Sequence, residues 1–294
     1  MKRIAGGRGG NDTSRPDPWP DKSLLTVIEP PRNWPRQRPK ELWRYRDLFL
    51  ILAGRDIKVR YRQTVVGVGW VIIQPILTAL IFTVVFGFIV RLPSGGVPYV
   101  LFVLCGLLPW TYFSNSVQRV AASLYVDTRL VSKVYFPRLL IPFASVASSL
   151  IDFCATLTVL FILLFAYRIP LTWNALSLPF FALLVTLAAT GVGLWFSALS
   201  VRYRDARNLL PFMLQAWLYA TPVVYAVSLV PAKWRGMYSL NPAVGIVDGF
   251  RWALLGATTF SLTTAVVATG GSVVLLASGL ALFLRMQQRF DDSL

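Results

Sequence analysis

Six stretches of this chain, residues 63–90, 92–118, 139–167, 169–201, 208–232 and 253–284, are apolar and, apart from Asp152, carry no charge. Each exceeds the roughly 20 apolar residues that a helix needs to cross a hydrocarbon core about 30 Å thick. The charges gather between them, and they do so unevenly. When successive connections are assigned to alternate sides, 24 of the 29 Lys and Arg fall on the side that holds both termini. The other side receives only Arg91, Arg168, Lys233, Arg235 and Arg251. Excess Lys and Arg mark cytoplasmic loops. The expected architecture is therefore an all-α membrane protein with six transmembrane helices, multi-pass in the plasma membrane, both termini cytoplasmic.

That arrangement accounts for the net charge of +16 in a chain with only 14% charged residues. In a soluble protein such a balance would point to nucleic acid; here the basic side chains sit where anionic headgroups attract them. No nucleic-acid partner is implied, and membrane lipids are. Histidine is absent, which removes the usual proton shuttle and any Ser-His or Cys-His nucleophile pair. Cys105 and Cys154 fall inside separate apolar stretches and have neither disulfide-framework nor zinc spacing. No cleavable leader is expected, because the first long apolar stretch comes too late; the first transmembrane helix would direct insertion.

Residues 1–40 contain Pro16, Pro18, Pro20, Pro30, Pro31, Pro35 and Pro39 among Gly, Arg and Asp. Such a segment cannot bury a core and reads as a disordered cytoplasmic tail. Residues 41–62 read as an amphipathic interface helix. Helical spacing puts Arg44, Asp47, Arg55, Lys58 and Arg62 on one face and Leu42, Tyr45, Leu48, Phe49, Leu52 and Val59 on the other. Residues 63–290 then form the transmembrane domain. Pro75, Pro109, Pro142, Pro179, Pro211 and Pro222 fall within its apolar stretches, where several of them are expected to kink helices.

Four further features bear on chemistry. The connection 125–138 mixes Arg129, Lys133, Tyr135 and Phe136, a composition suited to a short cytoplasmic helix docking in a protein groove or simply to a basic loop. The segment 226–260 is too long for a turn and mixes apolar residues with Trp234, Asn241, Pro242, Asp248 and Arg251. It reads as a broken or re-entrant helical pair, a candidate outer gate. Asp152 is the one acid well inside an apolar stretch, where it can pair with Arg138 or a helix terminus, or face a cavity. Aromatic side chains with polar handles suit the lining of a channel, since they combine a flat apolar face with a hydrogen-bonding group. Trp110, Tyr112 and Phe113, and Trp217, Tyr219 and Tyr225, are the candidates. Trp and Tyr are also enriched at membrane interfaces for structural reasons.

The run from Arg55 through Thr64, with Gly67, Trp70, Gln74 and Pro75, resembles the permease subunit of ABC type 2 polysaccharide exporters, which handle O-antigen, capsule and teichoic acid. The likeness recurs from Val131 to Arg138, at Tyr203-Arg204-Asp205, from Thr221 to Tyr225, and from Asn241-Pro242 to Arg251 and Gly256. Arg202 stands where a bulky apolar residue is more usual in that family, and the tail 1–40 lies outside the likeness. The resemblance implies a homodimer that binds two copies of a separate ABC ATPase subunit and moves a lipid-linked polysaccharide. It implies a coupling helix containing Arg129, Lys133, Tyr135 and Phe136, and an interface helix containing Arg44, Arg55, Lys58 and Arg62. It also supports the outer gate of Trp234, Asn241, Pro242 and Arg251. No cofactor is expected on this chain, which has no GxxxxGK[ST] loop; ATP and Mg would sit in the partner subunit. Two other readings stay open. An ion-coupled secondary transporter should show several intramembrane acids or an inverted repeat. A membrane glycosyltransferase should show clustered carboxylates.

Overall fold

Most of the uncharged apolar runs are helical, because a buried or lipid-facing backbone must satisfy its own hydrogen bonds. A computed structural model of the chain describes residues 45–62, 69–126, 136–203, 205–256 and 260–290. The tail 1–40, Arg44, Arg129, Lys133, Tyr135 and the side chain of Arg62 lie outside the described residues. Among those described, the chain is all-helical. The helices are α1 (Arg46–Arg62), α2 (Gly69–Phe82, continued by a π-helical stretch Thr83–Ile89), α3 (Tyr99–Val126) and α4 (Leu140–Ala166). They continue with α5 (Leu178–Arg202), α6 (Asp205–Tyr219), α7 (Ala232–Ser239), α8 (Pro242–Leu255) and α9 (Leu262–Phe290).

Five helical stretches, Gly69–Ile89, Tyr99–Leu124, Leu140–Ala166, Trp173–Ser200 and Leu262–Met286, are long and apolar enough to cross a membrane. The expected fifth stretch, 208–232, is not one helix. α6 has 15 residues and stops at Tyr219. At 1.5 Å per residue that is about 22 Å, short of a 30 Å core. The last apolar run also divides, with Ala253, Leu254 and Leu255 completing α8 before α9 starts at Leu262. Prolines divide by position. Pro75, Pro109 and Pro211 lie inside helices, Pro142 and Pro179 fall in first turns, where no N–H is missed, and Pro222 lies in the break after α6.

α5 packs between α3 and α9, and α3 also meets α4, α8 and α2, which makes α3 the centre of the bundle. Between helices in lipid the hydrophobic effect gives little drive, so close backbone approach supplies the contact. A Cβ on Gly279 of α9 would stand 2.2 Å from the Gly191 carbonyl oxygen of α5. These two glycines set the closest crossing of the fold.

α1 runs beside the first turns of α4, in the same direction. Leu52 and Ala53 pack with Phe136, Leu140, Ile141 and Ala144, and Tyr45, Leu48 and Phe49 complete the patch. Arg60, two turns on, reaches Ser148 and Asp152. The expected apolar face is thus real as far as Leu52. Val59 is exposed instead, because Arg60 occupies the face turned towards α4.

Candidate functional site

Polar residues recur along α3 at Thr111, Ser114, Asn115 and Gln118, the spacing that lines up one helix face. α2 adds Gln74 and Thr78, one turn apart, and α6 adds Gln215. With α4 these helices enclose a cleft of about 460 Å³. The hydroxyls of Thr78, Thr111 and Thr156 donate to carbonyls one turn back in their own helices. Their lone pairs stay available towards the cleft. Asn115, Gln118, Gln74 and Gln215 are exposed. A carboxamide facing hydrocarbon without partners costs several kcal/mol. A row of them in the apolar part of the chain therefore requires water, a ligand or another protein surface on that side.

At one end of the cleft stands a charge cluster. Asp152 Oδ2 accepts from Arg60 of α1 and from Arg119 of α3, the latter at 2.7 Å. Arg60 also donates to Ser148 Oγ at 3.2 Å and Arg119 to Ser149 Oγ at 3.0 Å. Of the fates open to Asp152 in the sequence, cavity lining is realised, with two arginines as partners. Arg119 had been assigned to a connection; α3 runs on to Val126, so the residue is a turn and more inside the helix.

The aromatic candidates divide among three environments. Trp110 and Tyr112 border the cleft but are 5% and 4% exposed, so each also packs in the core. The Tyr112 hydroxyl lies 3.0 Å from Thr186 Oγ1, joining α3 to α5. Phe113 and Trp217 stack edge to face at 5.2 Å, inside the bundle. Tyr219 is exposed, and Tyr225 donates to the Tyr219 carbonyl and pairs with the Tyr238 hydroxyl at 2.8 Å. Burial, then the bond to Tyr225, pushes the Tyr238 phenol up, so Tyr238 stays protonated and works by hydrogen bonding.

The other end of the bundle is organised by Arg251, which is fully buried. Beyond α6 the chain is non-helical from Thr221 to Tyr225, leaving carbonyls without helical partners. The Arg251 guanidinium donates to the carbonyls of Pro222 and Val223, each at 2.6 Å, and of Tyr225 at 3.2 Å. It also reaches the Phe102 carbonyl at 3.3 Å and stands 3.7 Å above the Phe102 ring. The Tyr99 hydroxyl takes the Val224 carbonyl. Gly106 makes room: a Cβ there would lie 2.6 Å from the Val223 oxygen and 2.9 Å from an Arg251 nitrogen.

Asn241 and Pro242 build the start of α8. Asn241 Oδ1 caps the Ala243 N–H at 3.1 Å and accepts from Trp217 Nε1 at 3.1 Å, while Pro242 fills the first turn. Pro242 lies against Trp110 and Phe113, in the middle of α3, whereas Arg251 lies against Phe102 near its start. The start of α8 therefore lies further along α3 than its end does. Trp234 is exposed on α7.

Phe136 is 4% exposed, covered by α1 and α4. Arg55 pairs with its neighbour Asp56 at 2.9 Å, and Lys58 is exposed. Sequence reasoning gave no role to Arg60, Tyr99, Gly106 or the amide row. The row was findable in part, since Asn115 and Gln118 share one face of α3 with Thr111 and Ser114; Arg60 and Tyr99 were not, because their partners are distant in sequence.

A family model described as ABC-2 type transporter matches residues 47–255. The chain is 30% identical over 260 residues to the O-antigen export system permease protein RfbA of Myxococcus xanthus, covering 87% of this chain and 98% of that protein. The protein of the same name from Klebsiella pneumoniae is 29% identical over 251 residues, 84% of this chain and 95% of that one. The polysialic acid transport protein KpsM of Escherichia coli is 22% identical, over 68% of this chain and 78% of its own. A match that spans both the cleft and most of the chain through α8 settles the family: this chain is a member of the ABC-2 type transporter membrane proteins.

Proposed function

We propose that this chain is the membrane permease of an ATP-driven exporter of lipid-linked polysaccharide, O-antigen-like, across the bacterial inner membrane. It is a non-catalytic transporter component. ATP and Mg are held by two copies of a separate ABC ATPase subunit, and two permease chains form the pathway. α6 is the remaining crossing: its helix and the bound break Thr221–Tyr225 together cover the membrane, giving six crossings with both termini cytoplasmic. The segment containing Arg129, Lys133 and Tyr135 receives the ATPase, and α1 with Arg55 and Lys58 lies at the same boundary. α7 and α8 form the outer gate.

The amide-lined cleft carries this reading. A glycan needs hydrogen-bonding groups beside flat apolar faces, without tight binding at any one point. Asn115, Gln118, Gln74 and Gln215 offer the first, and the exposed indole of Trp70 the second. The test uses proteoliposomes holding the permease and its ATPase, with lipid-linked glycan on the ATPase side. Glycan should become accessible to a lectin in the opposite compartment only with ATP, and a protonophore should not prevent it. Leucine at both Asn115 and Gln118 should slow appearance about tenfold or more, what one lost hydrogen bond of about 1.4 kcal/mol produces. Unchanged export by that double variant would remove the cleft from the pathway.

A further inference from the structure

The Arg60–Asp152–Arg119 cluster has open space on both sides. One side is the amide-lined cleft, whose wall includes Arg60, Arg119, Ser149 and Asp152. The other is a groove of about 490 Å³ between α1, α3 and α4, whose wall includes Arg55, Arg60, Arg119, Ser145 and Ser148. Both guanidiniums belong to both walls. Ser148 and Ser149, adjacent on α4, each hold one of them. The groove lies towards the beginnings of α1 and α4, the side to which the charge map assigns the cytoplasm.

We propose that this cluster is a septum, an inner gate that closes the cleft against the cytoplasmic groove and opens when the end of α1 carries Arg60 away from Asp152. The inference rests on the export reading above and names the residues that control entry to its path. Three features favour a gate over a fixed brace. First, a single carboxylate oxygen receives guanidiniums from two helices, so withdrawing Arg60 leaves Asp152 still held by Arg119. Opening does not strand a bare carboxylate, which is what makes most buried ion pairs hard to break. Second, the flanking hydroxyls of Ser148 and Ser149 give each guanidinium a second anchor on α4. Third, α1 is fastened near its other end by the patch around Leu52 and Phe136. Phe136 directly follows the segment expected to receive the ATPase. A push there reaches Arg60 along one rigid helix.

The test reads water access. With Cys105 and Cys154 replaced, a single cysteine is placed in the cleft by Asn115→Cys. Inverted vesicles are treated with a membrane-impermeant cationic thiol reagent from the cytoplasmic face. A second probe, Ser272→Cys, sits at a fully buried position of α9 and reports loosening of the bundle. Arg60→Gln should raise the labelling rate at the cleft probe about tenfold, because a working gate keeps the open form a small minority until it is released. Labelling at the buried probe should not change, and Arg60→Lys should restore slow labelling. If Arg60→Gln leaves the cleft probe slow, the septum is refuted. If it speeds both probes, the cluster only holds the fold together and the gate is likewise refuted. The measurement needs no polysaccharide, so its failure is separable from failure of the export reading, which the lectin assay judges alone.

Discussion

Replacing Arg251 tests whether the broken segment after α6 is held by this one side chain. In Arg251→Leu the carbonyls of Pro222, Val223 and Tyr225 lose their donor, while that of Phe102 keeps its place in the α3 ladder. A buried acceptor left unsatisfied costs about 1–3 kcal/mol, which gives about 3–9 kcal/mol for three. Loss of the contact with the Phe102 ring adds up to about 2 kcal/mol. Against this, leucine abolishes the desolvation of a buried cation, worth several kcal/mol. The net loss is about 3–5 kcal/mol, well above the roughly 1 kcal/mol of an average substitution. Arg251→Lys keeps the charge but has a single point of donation, unable to span carbonyls from Pro222 to Tyr225, and should lose about half as much. Melting in detergent, followed by the loss of the monodisperse chromatographic peak, is the assay. At about 2–4 °C per kcal/mol the leucine variant should melt about 6–20 °C lower and the lysine variant in between. If Arg251→Leu melts within about 2 °C of the parent, the break is held by something else and the account of the outer gate fails.

Other outcomes follow from the same contacts. Asn241→Ala removes the cap of α8 and the acceptor for Trp217, and should cost about 1–2 kcal/mol in the same melt, with Asn241→Asp recovering most of it. Gly279→Val forces a side chain against the Gly191 carbonyl and should destabilise by about 1–3 kcal/mol or more, whereas Gly270→Ala, with open space at its Cβ, should be near neutral. Phe136→Ala empties the patch shared by α1 and α4 and should cost about 3–5 kcal/mol in melting as well as slowing export, so Phe136→Leu is the cleaner probe of coupling. Tyr99→Phe loses one bond to Val224 and should lower stability by about 1 kcal/mol without affecting the ATPase of the complex.

Charge-free length made most of the bundle legible, because a helix that must hide its backbone from lipid writes itself as an uninterrupted apolar run. Leu140–Ala166 falls within a residue of its expected bounds for that reason. The same signal failed at 208–232, where apolarity persists but helicity does not. Hydropathy reports where a segment can lie, not whether Arg251, far along the chain, has claimed its carbonyls. The cap of α8 by Asn241, with Pro242 in the first turn, is a local signal that the sequence reading passed over. The partners of Asp152 were not legible, since Arg60 and Arg119 reach it from two other helices. Phe136 shows a third limit. Its position beside a basic segment suggested an outward-facing contact, and the fold covers it with α1 and α4.

The two ends of the path are built on opposite principles, and the difference bears on how each can move. At the Arg251 end, the guanidinium binds backbone carbonyls in a fully buried site, so releasing it leaves several groups unsatisfied at once. Motion there is expected to carry Arg251 and the Thr221–Tyr225 segment together as one body, with Tyr99 and the start of α3 as the seat. At the inner end, side chains bind side chains beside two open spaces, and Asp152 keeps one partner when the other leaves. Exchanging one of two partners costs less than stranding a buried carboxylate alone. A chain that must pass a long polymer without leaking needs a rigid frame at one end and a replaceable bolt at the other. On these energetics the Asp152 end is the more easily opened element, and the Arg251 end responds by displacement, not by dissolving its own hydrogen bonds.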